Sequence, residues 1–176
     1  AEWIGANLAV PVLEVDDRGL IASAVIEQTC APGFETLRPH TLHVGLYAVR
    51  DGSLHRTDVI AVDVDGAATP VPALVGREQP DLLLVNDDDL TYCSLRLDPV
   101  SLQTVLTRIA DIADSLPRTL AWSAAWEMTR DAELRARDFV ALVMSGLHAE
   151  SEVGVAQRLV LQAQTADQAS RLEEIL

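Results

Sequence analysis

The chain has 176 residues, 49% of them apolar, enough for one ordinary domain or two small ones with a real core. Its formal charge of −14 comes from 27 acids against 13 bases, all of them Arg and scattered singly, so the basic stripe that nucleic-acid binding requires is missing. The longest apolar stretches, such as Leu82–Val85 and Phe139–Met144, fall far short of the roughly 20 residues of a membrane span, and Ala1-Glu2-Trp3 lacks the basic and apolar regions of a signal peptide, so the expectation is a cytoplasmic protein with no membrane partner.

The first hundred residues alternate. Leu42, Val44, Leu46 and Ala48 share one face of an extended segment and His43, Gly45 and Tyr47 the other, the signature of a half-buried strand. Ile60, Val62 and Val64 repeat the pattern, as do Cys93, Leu95 and Leu97. Turns fall at Asp16-Asp17-Arg18-Gly19, Asp51-Gly52 and Asp65-Gly66, the second suggesting a tight hairpin. Strands are predicted at about 9–15, 20–30, 41–50, 54–65, 68–74, 81–86 and 92–97, a spacing that suggests an antiparallel sandwich.

Near Asp98-Pro99 the period changes. Leu102, Val105, Leu106, Ile109 and Ile112 recur at three- and four-residue steps, with Asp98 as N-cap and Pro99 at the first helical position. A second helix is predicted from about Ser115, with Trp122 and Trp126 on one face and Leu120, Ala124 and Met128 on another, which makes it central. A third is predicted over about Asp131–Ser145, stopped by Gly146, and a fourth from about Ser151, with Val153, Ala156, Leu159, Val160 and Ala163 inward. A last helix starts at Asp167. The fold class is therefore α+β, mainly β and then all-α: a sandwich of about seven strands over residues 1–98, and stacked helical hairpins over 99–176, the last ending mid-pattern at Leu176.

Chemistry-bearing groups are sparse. His40 and His43, three apart in a strand, point to opposite sides and make a poor zinc pair, while His55 and His148 stand alone. Asn86-Asp87-Asp88-Asp89 gathers carboxylates, but a calcium loop begun at Asp87 finds Tyr92 and Asp98 where Gly and Glu belong, so a polar turn accounts for it better. Cys30 and Cys93 have no metal-ligand spacing and read as buried free thiols. Trp122 and Trp126 read as packing rather than a platform. Arg130, Arg135 and Arg137 would attract a carboxylate, or pair with neighbouring Asp131, Glu133 and Asp138. No nucleophile elbow or phosphate loop occurs, and no catalytic, cofactor-binding or metal residue is assigned.

The stretch Leu82-Leu83-Leu84-Val85-Asn86-Asp87-Asp88-Asp89-Leu90-Thr91-Tyr92, with Leu95-Arg96-Leu97-Asp98, resembles the last sandwich strands of actinobacterial aminopeptidase N, a family of zinc metallopeptidases. Ser115-Leu116-Pro117-Arg118, Trp122, Ala124-Ala125-Trp126 and Met128-Thr129-Arg130-Asp131 are similar to the start of that family's helical domain. Thr36-Leu37-Arg38-Pro39-His40 and Val44-Gly45-Leu46-Tyr47 fit its sandwich, and Trp3 the entry to it. The resemblance implies a parent that removes amino-terminal residues from peptides, its zinc held upstream. Neither the family's His-Glu-x-x-His nor its Gly-x-Met-Glu-Asn occurs here, so no site residue or cofactor carries over and the zinc belongs to the parent. The implied role is a spacer plus the opening of an active-site cover, with the upstream catalytic domain and the remaining helices as partners and the peptide as the parent's substrate. An apolar face is expected near 155–176, which would drive dimerisation of the isolated segment. The competing readings are an independent protein-interaction module and a self-contained hydrolase.

Overall fold

The structure, a computed structural model, describes residues 7–30, 33 and 36–173; Trp3 and the terminal Leu176 lie outside them. Seven strands are described: β1 (Asn7–Val15), β2 (Ile21–Thr29), β3 (His40–Arg50), β4 (Ser53–Val64), β5 (Ala68–Pro70), β6 (Leu82–Val85) and β7 (Cys93–Leu95). They form two sheets, ordered β5-β2-β1-β7 and β4-β3-β6, followed by helices. This is the α+β arrangement read from the change of period. One pairing departs from the expected antiparallel sandwich: β7 runs parallel to β1, with Asn7 opposite Cys93 and Ala9 opposite Leu95. A chain that leaves the second sheet through the turn after β6 arrives at the first sheet beside β1 in that direction.

The β3–β4 hairpin turns on Asp51 (φ 51°) and Gly52 (φ 84°), and two successive positive φ values fit the right-handed twist of the flanking strands. The register slips by one residue between Leu46 and Tyr47, leaving Thr57 unpaired, and its hydroxyl donates to the Leu46 carbonyl at 3.0 Å. β3 is buried on both faces from Val44 to Tyr47 rather than on one. The cause is the turn after β6, which carries Asp87 onto the face shared by Gly45 and Tyr47. A Cβ at Gly45 would sit 2.5 Å from the Asp87 Cγ, so only glycine admits that carboxylate.

All four residues of β6 are buried, although it is the edge of its sheet. Helix α1 (Pro99–Arg108) covers that edge, and the Leu83 N–H donates to Ser101 Oγ at 2.8 Å. Ser101 Oγ in turn donates to Asp98, whose Oδ1 accepts from Val100 N (3.1 Å) and Ser101 N (3.2 Å) as the N-cap. Thus one hydroxyl joins the sheet edge to the helix cap.

Helix α2 (Ser115–Arg130) buries Trp122, Ala124, Ala125 and Met128 and touches β7 and both later helices. It ends at Asp131, because Ala132 adopts a left-handed conformation (φ 60°) and the chain turns. Helix α3 therefore spans Ala136–Gly146 and starts five residues later than the acidic run at Asp131 suggests. Gly146 packs where a Cβ would lie 2.5 Å from Ile109 Cγ2 and 2.9 Å from the Trp122 ring. Helix α4 runs unbroken through Val153–Glu173, so the separate helix expected from Asp167 is its continuation. Its inner residues are Leu159 and Ala166, flanked by Val155 and Ala163; Val153 and Val160 are exposed, with Leu161. A continuous helix places 159, 163 and 166 on one line and rotates 153 and 160 away.

Candidate functional site

The turn Asn86–Asp89 is the densest charged feature. Asn86 (φ 57°) and Asp89 (φ 52°) both take left-handed backbone, and the Asn86 amide fastens the loop by donating to Thr91 O (2.8 Å) while its oxygen accepts from Thr91 N (3.2 Å). Asp87 accepts from Tyr47 OH at 2.6 Å and from Arg56 Nη1 at 3.0 Å; Asp88 accepts from Arg56 Nη1 at 2.8 Å and meets His43 Nδ1 at 2.6 Å. Burial raises the Asp87 carboxyl above the ordinary carboxylate range against the pull of Tyr47 and Arg56, whereas His43 and Arg56 hold that of Asp88 below it. Both carboxylates are thus committed to β3 and β4.

Asp87 is the buried charge that sequence reasoning missed. Its partners lie 40 and 31 residues away, and the one local signal was a glycine placed between His43 and Tyr47 on a face otherwise filled by large side chains.

The histidines do not meet at a metal. His40 Nδ1 lies 2.6 Å from Thr91 Oγ1 and its Nε2 3.4 Å from Asn7 Oδ1, while His43 turns to Asp88. Burial, with Arg38 nearby, lowers the His40 pKa, which favours a neutral ring. His55 and His148 are exposed and apart. Among the described residues no group of three or more His, Cys, Asp or Glu is arranged to hold a metal ion. Cys30 and Cys93 are free and only partly buried, and burial pushes the Cys93 thiol up to about 12, far from a thiolate nucleophile.

Two buried guanidinium groups brace the helices. Arg96, after β7, donates through Nε to Glu133 (2.8 Å) and through Nη2 to Asp131, with Glu127 Oε2 at 3.8 Å. Arg118 on α2 donates through Nε and Nη2 to the two oxygens of Glu150, each at 3.2 Å, and through Nη1 to Ile112 O at 2.7 Å. Trp122 Nε1 also donates to Glu150 (3.1 Å), which places that tryptophan in the core. Trp126 is half-buried and tilts against Phe139 with ring centres 5.3 Å apart. Arg137 lies 3.8 Å from Asp138, but Asp131 and Glu133 serve Arg96 rather than Arg130 or Arg135.

These bonds reach from the end of the sandwich into α2 and the α2–α3 connection, and across that stretch the chain matches a known family. Residues 82–174, more than half of the chain, match the model described as the ERAP1-like C-terminal domain. The chain belongs to that family. The match begins at β6 and takes in all four helices, including the stretches 82–98 and 115–131 on which the resemblance to aminopeptidase N was read. The chain is also 46% identical over 172 residues to aminopeptidase N of Streptomyces lividans, an overlap of 94% of this chain and 20% of that protein. The family member described here therefore spans about a fifth of the length of the curated relative it matches.

Proposed function

We propose that this chain is the non-catalytic C-terminal part of a zinc-dependent aminopeptidase that removes amino-terminal residues from peptides, with residues 1–98 as spacer and 99–176 as the opening of an active-site cover. The observation that carries the reading is the 46% identity to aminopeptidase N along nearly the whole of this chain but only a fifth of the relative. Arg96, bonded to acids beyond α2, supports the spacer role, because a spacer must hold the helices at a fixed angle. The zinc and the peptide site would lie in the rest of the parent. Exposed Val153, Val160 and Leu161 on α4 are offered to the parent's remaining helices, and in the isolated chain to a second copy. A cytoplasmic setting belongs to the same proposal, supported by two cysteines without a disulfide.

The test is to assay the purified chain on a leucine chromogenic substrate with its zinc content measured alongside. The expected result is no turnover and zinc well below one equivalent. Hydrolysis that survives controls would overturn the reading in favour of a self-contained hydrolase. Reading the coding frame upstream of Ala1 separates the other alternative: a His-Glu-x-x-His segment in frame supports a peptidase parent, and a start codon with no such domain supports an independent interaction module.

A further inference from the structure

Several arginines of this acidic chain are matched to acids: Arg18 to Asp16, Arg56 to Asp87 and Asp88, Arg77 to Asp58, Arg108 to Asp111, and Arg118 to Glu150. Arg130 and Arg135, like Arg50 and Arg158, have no ion pair among the described residues, although Asp131 and Glu133 are close neighbours of the first two in sequence. Buried Arg96 has taken both carboxylates. Among the described residues neither Arg130 nor Arg135 has an ion pair, and both line one cavity of about 500 Å³ between the end of α2, the start of α3 and the middle of α4. Trp126, Leu134, Ala136 and Ala166 give the cavity an apolar wall, and Thr129 and Thr165 also line it, their hydroxyls donating to the carbonyls of Ala125 and Leu161.

Two guanidinium forks with open donors beside an indole make a recognisable chemistry. Each fork matches a carboxylate in a bidentate manner, and the indole and alanine surfaces take a flat or branched hydrocarbon. Asp131, Glu133 and Glu127 balance the charges of Arg96, Arg130 and Arg135, so this is a locally neutral patch on a chain of net charge −14, where an anion meets less repulsion than elsewhere.

We propose that the cavity bounded by Trp126, Arg130 and Arg135 binds a small organic carboxylate with an apolar body, the carboxylate held by the two arginines and the body laid against Trp126. This site is separate from any peptidase chemistry, and its failure would leave the proposed function untouched.

The test titrates the full 176-residue chain with 3-phenylpropanoate, followed by tryptophan fluorescence and calorimetry, with 3-phenylpropanamide and inorganic phosphate as comparison probes. Expected are millimolar-or-better binding of the acid, affinity lower by about tenfold or more for the amide and for phosphate, and weakening by about tenfold or more in Arg130→Gln/Arg135→Gln at an unchanged melting temperature. Added salt should weaken the acid severalfold, and Trp126→Phe should remove most of the fluorescence response. Equal binding of acid and amide, equal binding of phosphate, an unaffected double variant, or no heat at millimolar acid would each overturn the proposal.

Discussion

Removing Glu150 isolates a charge that the fold has no other way to neutralise. The Arg118 side chain is 5% exposed and that of Glu150 has no exposed surface, so Glu150→Ala strands a buried guanidinium. Such losses cost about 3–5 kcal/mol, and the lower half applies because the carbonyls of Ile112 and Ala113 still accept from Arg118 at 2.7 and 3.3 Å. Trp122 Nε1 also loses its acceptor, worth about 1 kcal/mol. The expected total of about 4 kcal/mol corresponds to a fall in melting temperature of about 10 °C for a chain of this size. The assay is urea unfolding followed by circular dichroism, run beside Arg118→Met/Glu150→Leu, which removes both charges and should unfold at higher urea than Glu150→Ala. The carboxyl adds a pH signature. Burial would raise it, but Arg118 and Trp122 outweigh burial and hold it below its ordinary 4.5. Its contribution is thus present above pH 4.5 and lost as pH falls through the lower folded value, so Glu150→Gln should flatten the acid limb of stability. A Glu150→Ala protein within about 1 kcal/mol of the parent, or a double variant no better than the single, would refute the reasoning.

Gly45→Ala drives a methyl into Asp87 and should cost about 3–5 kcal/mol in urea unfolding, by displacing a carboxylate that Tyr47 and Arg56 hold. Asp98→Ala removes the cap of α1 and the acceptor of Ser101; a loss of about 2 kcal/mol is expected, with faster amide exchange at Leu83. Ala132→Gly relieves the left-handed alanine and should raise stability by about 0.5–1 kcal/mol in thermal melts.

Local pattern carried much of the fold. Period-two alternation located β1 to β4, and the Asp98-Pro99 pair marked the first helix to the residue, because cap chemistry is encoded within four positions. What it missed depends on distance. The parallel seat of β7 is decided by β1, some eighty residues earlier, and the burial of Asp87 by Tyr47 and Arg56. The turn at Ala132 carries no glycine to announce it; the Glu133 and Leu134 amides, both bonded to Met128 O, hold it instead. The same limit hid the open cavity: Arg130 and Arg135 look paired in sequence, and only the fold shows that Arg96 has claimed their acids.

The covered edge of β6 bears on how such proteins can be dissected. The change of hydrophobic period at Asp98 invites a cut there, yet the cut would remove Ser101 and α1 and bare the outer edge of a strand of four buried apolar residues, leaving the Leu83 amide unpaired. A sandwich made alone should therefore polymerise through that strand, and one extended past Arg108 should not. Where the sequence changes rhythm, one hydroxyl and one cap still join the two halves.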